Sequence, residues 1–191
     1  MTAQSWAVLL GAYLLGSIPS AYLVARYACG VDIQQIGDGN VGAKNTFESL
    51  GRLPGLAVAA ADIGKGALAV TMARHLRLPE NVWLLTGICV VLGHDFSLFL
   101  RFRGGQGMAT LAGVLGVLFP REVGLAFAAF ALALAITRNW DLSCGIGFGL
   151  LPVSLCLAGR PPKQALYPVL LIPTIGMRKL MQVWQARHAT S

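Results

Sequence analysis

Residues Gly37 to Gly51 read GDGNVGAKNTFESLG, a glycine- and asparagine-rich loop between two long apolar segments, about residues 5–25 and 53–73. No strand pattern precedes the GxGxxG-like spacing of Gly37, Gly39 and Gly42, which excludes a soluble dinucleotide-binding βαβ unit. Glycines tolerate positive φ, and with Asn40 and Asn45 they permit a loop whose N–H groups converge on an anion. Beside a bilayer the expected anion is a phosphate. The plainer reading is a tight re-entrant turn.

Composition points the same way. Of 191 residues, 55% are hydrophobic and 12% charged, and the mean hydropathy is +0.65, too apolar for a soluble domain of this size. The expected fold is all-α integral membrane: one domain over residues 1–191, a bundle of about seven helices, some short or broken, with polar glycine-rich loops on the cytoplasmic face. Helices are favoured because backbone polar groups in lipid must pair internally, and no barrel-type alternation occurs. The net charge of +7 is spread over the ends of apolar runs, which reads as topology signal and anion contact rather than as a nucleic-acid surface. Cys29, Cys89, Cys144 and Cys156 form no CxxC pair and are expected as small buried thiols, without disulfides or metal. The first apolar segment has neither a basic n-region nor a small-residue cleavage site, so it is expected to be retained.

Taken in order, the expected spans are about 5–25, 53–73, 82–92 continuing to 101, 108–119, 123–137, 143–158 and 165–181, the last interrupted by Pro168 and Pro173. Gly16, Ser17, Pro19 and Ser20 permit close contact or a break in the first. The fourth, at twelve residues, barely crosses a bilayer. Gly145 and Gly149 in the sixth have GxxxG spacing, expected to serve close packing. With the N-terminus outside, one face collects Arg26, Lys44, Arg52, Arg101, Arg103, Arg138, Arg178, Lys179 and Arg187. The other collects Arg74, Arg77, Arg121, Arg160 and Lys163. The positive-inside rule assigns the first face to the cytoplasm, together with both glycine-rich loops and the RNWDL loop.

Several residues stand out chemically. Asp62 and Lys65, three apart on a predicted helix, share a face inside a span; they are a structural ion pair or a phosphate-facing lysine with its counter-charge. His94 beside Asp95 is a candidate general base held by a carboxylate, imidazole being the side chain suited to proton transfer near neutral pH, or else a structural hydrogen-bonding histidine or a substrate contact; neighbours on a helix do not face each other, which weakens the pairing. Arg101 and Arg103 run into Gly104, Gly105 and Gly107, cations beside flexible backbone, or else interfacial residues snorkelling from a span end. No HxxH, HExxH or GxSxG spacing occurs, so neither metal, cofactor nor serine-hydrolase chemistry is expected.

Together GSIPSAYL in the first span, GDGNVGAKN, DIGKGA at Asp62 to Ala67 and GHDFSLFLRFRGGQGMAT at Gly93 to Thr110 resemble the bacterial acyl-phosphate:glycerol-3-phosphate acyltransferases, the PlsY type. The resemblance implies a seven-helix enzyme of the bacterial inner membrane, N-terminus outside and C-terminus cytoplasmic, that moves a fatty acyl group from acyl phosphate to glycerol 3-phosphate to give lysophosphatidic acid. Its implied partners are those two substrates and membrane lipid. It implies catalytic roles for Asn45, His94 and Ser143, the last in the DLS at Asp141 to Ser143. Substrate contacts are implied for Gly37, Gly39, Asn40, Gly42, Lys44, Lys65, Arg101, Arg103, Gly104, Gly105 and Gly107, and the substrate phosphate is implied to help remove the proton. The chain departs from the family pattern at Asp38, Val41, Lys44 and Glu48, where Ser, Pro, Thr and Arg are usual. It departs again at Gln106 for a lysine, and at Pro173 and Gly176 where histidine and asparagine would align. These departures carry an alternative expectation, a paralogue that binds a lipid phosphate or a partner enzyme or uses another acceptor.

Overall fold

The first apolar run becomes two helices, α1 (Ala3–Ser17) and α2 (Ser20–Cys29), parted at Ile18 and Pro19. Proline lacks an N–H and its ring crowds the carbonyl one turn back, so a helix reaching it breaks or restarts. Here it restarts: Ile18 leaves helical backbone at φ −57°, ψ 116°, and Pro19 precedes the first residue of α2. The computed structural model describes residues 1–173, and Pro173 is the last of them; Gly176 and most of the span expected at 165–181 lie outside the described residues.

The remaining helices are α3 (Ala43–Leu50), α4 (Arg52–His75), α5 (Glu80–Asp95), α6 (Met108–Leu118), α7 (Pro120–Thr137) and α8 (Trp140–Leu157), and the chain is helical again over 162–173. Five stretches among the described residues are long and apolar enough to cross a membrane: Ala3–Cys29, Arg52–His75, Glu80–Leu100, Pro120–Thr137 and Trp140–Leu157. α6 is short, as its sequence suggests. α3 is a correction, because the stretch expected as loop contains an eight-residue helix. Two turns are too short for a periodic apolar pattern to register, and glycine-rich flanks disguise them.

The chain divides into two compact units, one containing residues 1–114 and the other residues 115–173. In the first, α1 and α5 pack at close range. A Cβ on Gly16 would overlap the Val90 carbonyl, and one on Gly93 would overlap the carbonyl of Tyr13. In lipid, where burying apolar surface gives helices little net attraction, such backbone approach supplies the dispersion contacts that hold them. The loop before α3 is anchored by Ile33 and Val41, buried with Ala21 and Ala25 of α2 and Val58 of α4. Burying each such aliphatic side chain contributes roughly 1.5–3 kcal/mol, enough to hold a glycine-rich segment in one place.

In the second unit α7 and α8 form a hairpin turning at Arg138, in left-handed backbone at φ 54°, and Asn139. The Asn139 side-chain oxygen caps α8 by accepting from the Leu142 N–H at 3.0 Å. Close packing between these helices falls on Gly147, beside the Ala126 carbonyl and Phe130. The expected GxxxG pair has no such role among the described residues, since a Cβ at Gly145 or Gly149 would meet open space. The cysteine expectation is also corrected: Cys29 and Cys156 are exposed and Cys89 and Cys144 half-buried, all as free thiols. On membrane helices an outward thiol faces apolar surroundings, which its small apolar side chain suits.

Candidate active site

Two polar loops of the first unit meet at His94. The first is ordered by Asn45, which is 1% exposed and has both ends of its amide engaged. Its Nδ2 donates to the carbonyls of Ile36 at 3.0 Å, Asn40 at 3.1 Å and Ile33 at 3.4 Å. Its Oδ1 accepts from the Asp38 N–H at 3.2 Å and the Ser49 hydroxyl at 3.1 Å. Asp38 makes a local turn of its own, Oδ1 accepting from the Asn40 N–H at 2.9 Å, while Glu48 is exposed. Gly37 and Gly39 take φ of 60° and 71°, and at Gly37 a Cβ would run into the Asn45 and Ser49 side chains, so glycine is required there on both counts.

This loop delivers the chain to the N-terminus of α3. Gly42 caps it with no side chain, and the first backbone bond of the helix is Thr46 N–H to Gly42 C=O at 3.1 Å. The leading amides of Ala43, Lys44 and Asn45 precede that bond. Helix geometry leaves them without intrahelical acceptors, at the positive end of the helix dipole. Lys44 is half-buried on this turn.

The second loop folds back on the end of α5. Gly104 and Gly105 N–H donate to the Asp95 and His94 carbonyls, both at 3.1 Å. A Cβ on Gly104 would overlap the His94 carbonyl. One on Gly105 would strike His94 Nε2 and stand 2.6 Å from the Val41 carbonyl, so Gly105 is where the two loops touch. Arg101 and Phe102 are both left-handed, at φ 52° and 62°, a strained pair that throws Arg101 and Arg103 to the exposed side of the loop. Gln106 is half-buried and Gly107, at φ 69°, is buried against Asp95.

Beneath the loops lies a charged cluster that the sequence indicates only in part. Lys65 Nζ is 2.9 Å from Asp62 Oδ1, as their spacing predicts. Lys65 also donates to the Ile18 carbonyl at 3.1 Å, and Ser97 Oγ donates to the Ser17 carbonyl at 2.5 Å. Both carbonyls flank the break before Pro19, so two side chains from elsewhere in the chain satisfy what the break exposes. The carboxylate near His94 is Asp62, with Nδ1 3.6 Å from Oδ1, an electrostatic contact longer than a hydrogen bond. Sequence adjacency drew attention to Asp95, and the helix-to-helix pairing of α4 with α5 carried no local signal. A water-sized cavity of about 10 Å³ is lined by Ser17, Pro19, Val41, His94, Ser97 and Gly105.

Ser143 belongs to the second unit. It is fully buried, and its hydroxyl donates to the Asn139 carbonyl at 2.7 Å.

Five apolar spans among the described residues, with two glycine-rich loops meeting at Gly105, Val41 and His94, define a multi-pass membrane protein. The family model described as glycerol-3-phosphate acyltransferase matches residues 6–190. The chain is 49% identical over 194 residues to a glycerol-3-phosphate acyltransferase of Thermus thermophilus, covering 98% of this chain and 90% of that one. It is 42% identical over 184 residues to one of Geotalea daltonii, covering 96% and 94%. Its fold is similar to the crystal structure of PlsY (YgiH), an integral membrane glycerol 3-phosphate acyltransferase. The glycerol 3-phosphate form gives a TM-score of 0.87 at 28% identity over 98% of this chain and 94% of that one, and the lysophosphatidic acid form gives 0.85. The chain belongs to the glycerol-3-phosphate acyltransferase family.

Proposed function

We propose that this protein transfers a fatty acyl group from acyl phosphate to glycerol 3-phosphate, giving lysophosphatidic acid for phospholipid synthesis. A hydroxyl oxygen of glycerol 3-phosphate attacks the acyl carbonyl carbon and an ester C–O bond forms. The carbonyl carbon's bond to the phosphate oxygen breaks, inorganic phosphate leaves, and the hydroxyl proton passes to the phosphate. The observation that carries this reading is the meeting of the two glycine-rich loops at Gly105, Val41 and His94, with Arg101 and Arg103 beside them. Family membership supports the same reaction.

The residues of the first unit's loops and floor have distinct physical parts in the proposal. The leading amides of α3 with Lys44, and Arg101 with Arg103, hold the two phosphates. Preorganised N–H groups and cations of this kind stabilise charge that shifts in the transition state without reorganising. Gly104, Gly105 and Gly107 let the phosphate-bearing backbone lie against His94, whose Nε2 faces Gly105 and contacts the substrate. Asn45 acts through the loop, holding the nest made by Gly37, Gly39, Asn40 and Gly42, and Lys65 with Asp62 holds the floor. Asp38 is accounted for by its turn and the exposed Glu48 by solvation, so no structural observation favours a non-catalytic paralogue.

The same reading places the protein in the bacterial cytoplasmic membrane with the loops on the cytoplasmic side and the N-terminus outside, supported by the distribution of basic residues. Incubating the protein in lipid vesicles with acyl phosphate and labelled glycerol 3-phosphate tests the reaction. Labelled lysophosphatidic acid is expected, and its absence from folded protein overturns the proposal.

A further inference from the structure

We propose that the end of the α7–α8 hairpin away from Arg138 binds a membrane phospholipid, gripping its phosphodiester and accepting a hydrogen bond from an N–H or O–H of the same headgroup. A cavity of about 400 Å³ opens there, lined by Arg121, Glu122, Leu125, Ser154, Ala158 and Arg160. It draws only on the second unit and stands apart from the acyl-transfer proposal.

The central observation is a half-satisfied carboxylate. Glu122 is 4% exposed. Its Oε1 accepts from Arg160 Nε at 2.9 Å, while its buried Oε2 has no hydrogen-bond partner among the described residues. A buried carboxylate oxygen without a donor is costly, so the lining calls for a ligand that brings one. Arg160 is fixed by that bond and by its guanidinium lying 5.9 Å from the Phe119 ring centroid, yet the side chain is 36% exposed and Nε is only one of its donors. Arg121 is exposed at the rim.

Charge selects the ligand. Two guanidiniums beside one carboxylate suit a headgroup that sets a phosphodiester against the arginines and a hydrogen-bond donor against Glu122. The surroundings select a lipid over a free ion: Leu125 lines the cavity at 60% exposed, and Leu132 at 64% and Ile136 at 73%, on the same face of α7, continue an outward apolar surface along the helix. A headgroup seated on the arginines lets its acyl chains lie along that surface.

The test uses full-length protein in detergent, with retained lipid read by native mass spectrometry. Phosphatidylethanolamine, which carries phosphodiester and N–H donors, is compared with phosphatidylcholine of the same acyl chains, which carries the phosphodiester alone. Inorganic phosphate serves as competitor. Phosphatidylethanolamine is expected to be retained more tightly than phosphatidylcholine. Arg121→Gln should weaken both by about tenfold, and Glu122→Gln should reduce the difference between them. If Glu122→Gln fails to fold, Ser154→Phe fills the cavity from α8 and should exclude both lipids. Equal retention of the two lipids by the unaltered protein overturns the donor assignment. Retention unchanged in Arg121→Gln overturns the site, and displacement by millimolar inorganic phosphate assigns it to a free anion and overturns the lipid.

Discussion

Replacing Lys65 by methionine removes a cation from a pair whose side chains are 5% and 2% exposed and 2.9 Å apart. At an effective dielectric of about 20 the attraction at that separation is roughly 6 kcal/mol, and breaking one side of such a buried pair costs about 3–5 kcal/mol because the other charge stays behind. The variant also removes one of two donors to the Ile18 carbonyl, the other being the Ser20 N–H at 3.1 Å. For a chain of this size each kcal/mol moves the thermal midpoint by roughly 2–4 °C, so Lys65→Met should lower it by about 6–20 °C. The double variant Asp62→Leu with Lys65→Met removes both charges and should recover most of that loss, leaving about 1 kcal/mol for the lost hydrogen bond to Ile18. Thermal unfolding in a fixed detergent, followed by intrinsic fluorescence, measures both. A single variant within about 2 °C of the parent, or a double variant no more stable than the single one, would refute the claim that this pair clamps the α1–α2 break.

Three further outcomes follow from the site. Gly105→Ala should leave the fold intact and lower kcat/KM by at least about tenfold, because its Cβ would push His94 Nε2 and the Val41 carbonyl apart. Asn45→Asp keeps the acceptor and loses the Nδ2 donors to Ile36 and Asn40, so it should destabilise by about 1–3 kcal/mol and raise KM for both substrates, readable from unfolding and initial rates. Arg101→Gln with Arg103→Gln should raise KM and flatten the dependence of rate on ionic strength while leaving the thermal midpoint nearly unchanged, since both side chains are exposed.

Much of this architecture can be read from the chain because lipid imposes strong rules. Long apolar runs announce α4, α5, α7 and α8 to within a few residues, and Pro19 marks the break between α1 and α2. Asp62 and Lys65 declare their pairing by helical spacing alone. What escapes is whatever depends on approach between distant segments. Nothing local ties His94 to Asp62, Ser97 to Ser17 or Lys65 to the Ile18 carbonyl, and these contacts exist only once α1, α4 and α5 pack. The role of Asn45 is hidden for a different reason: a glycine-rich loop reads as a ligand nest, and only coordinates reveal that one amide is spent holding it. Asp38 looks adverse beside a phosphate in sequence, and its local turn shows why an acid is accommodated there.

The most direct test of the central claim is to follow acyl phosphate, inorganic phosphate and lysophosphatidic acid together in vesicles containing the protein, with and without glycerol 3-phosphate. Phosphate and lysophosphatidic acid should appear in equal amounts, and only when glycerol 3-phosphate is present. Consumption of acyl phosphate independent of the acceptor, or none at all in folded protein, would contradict the account.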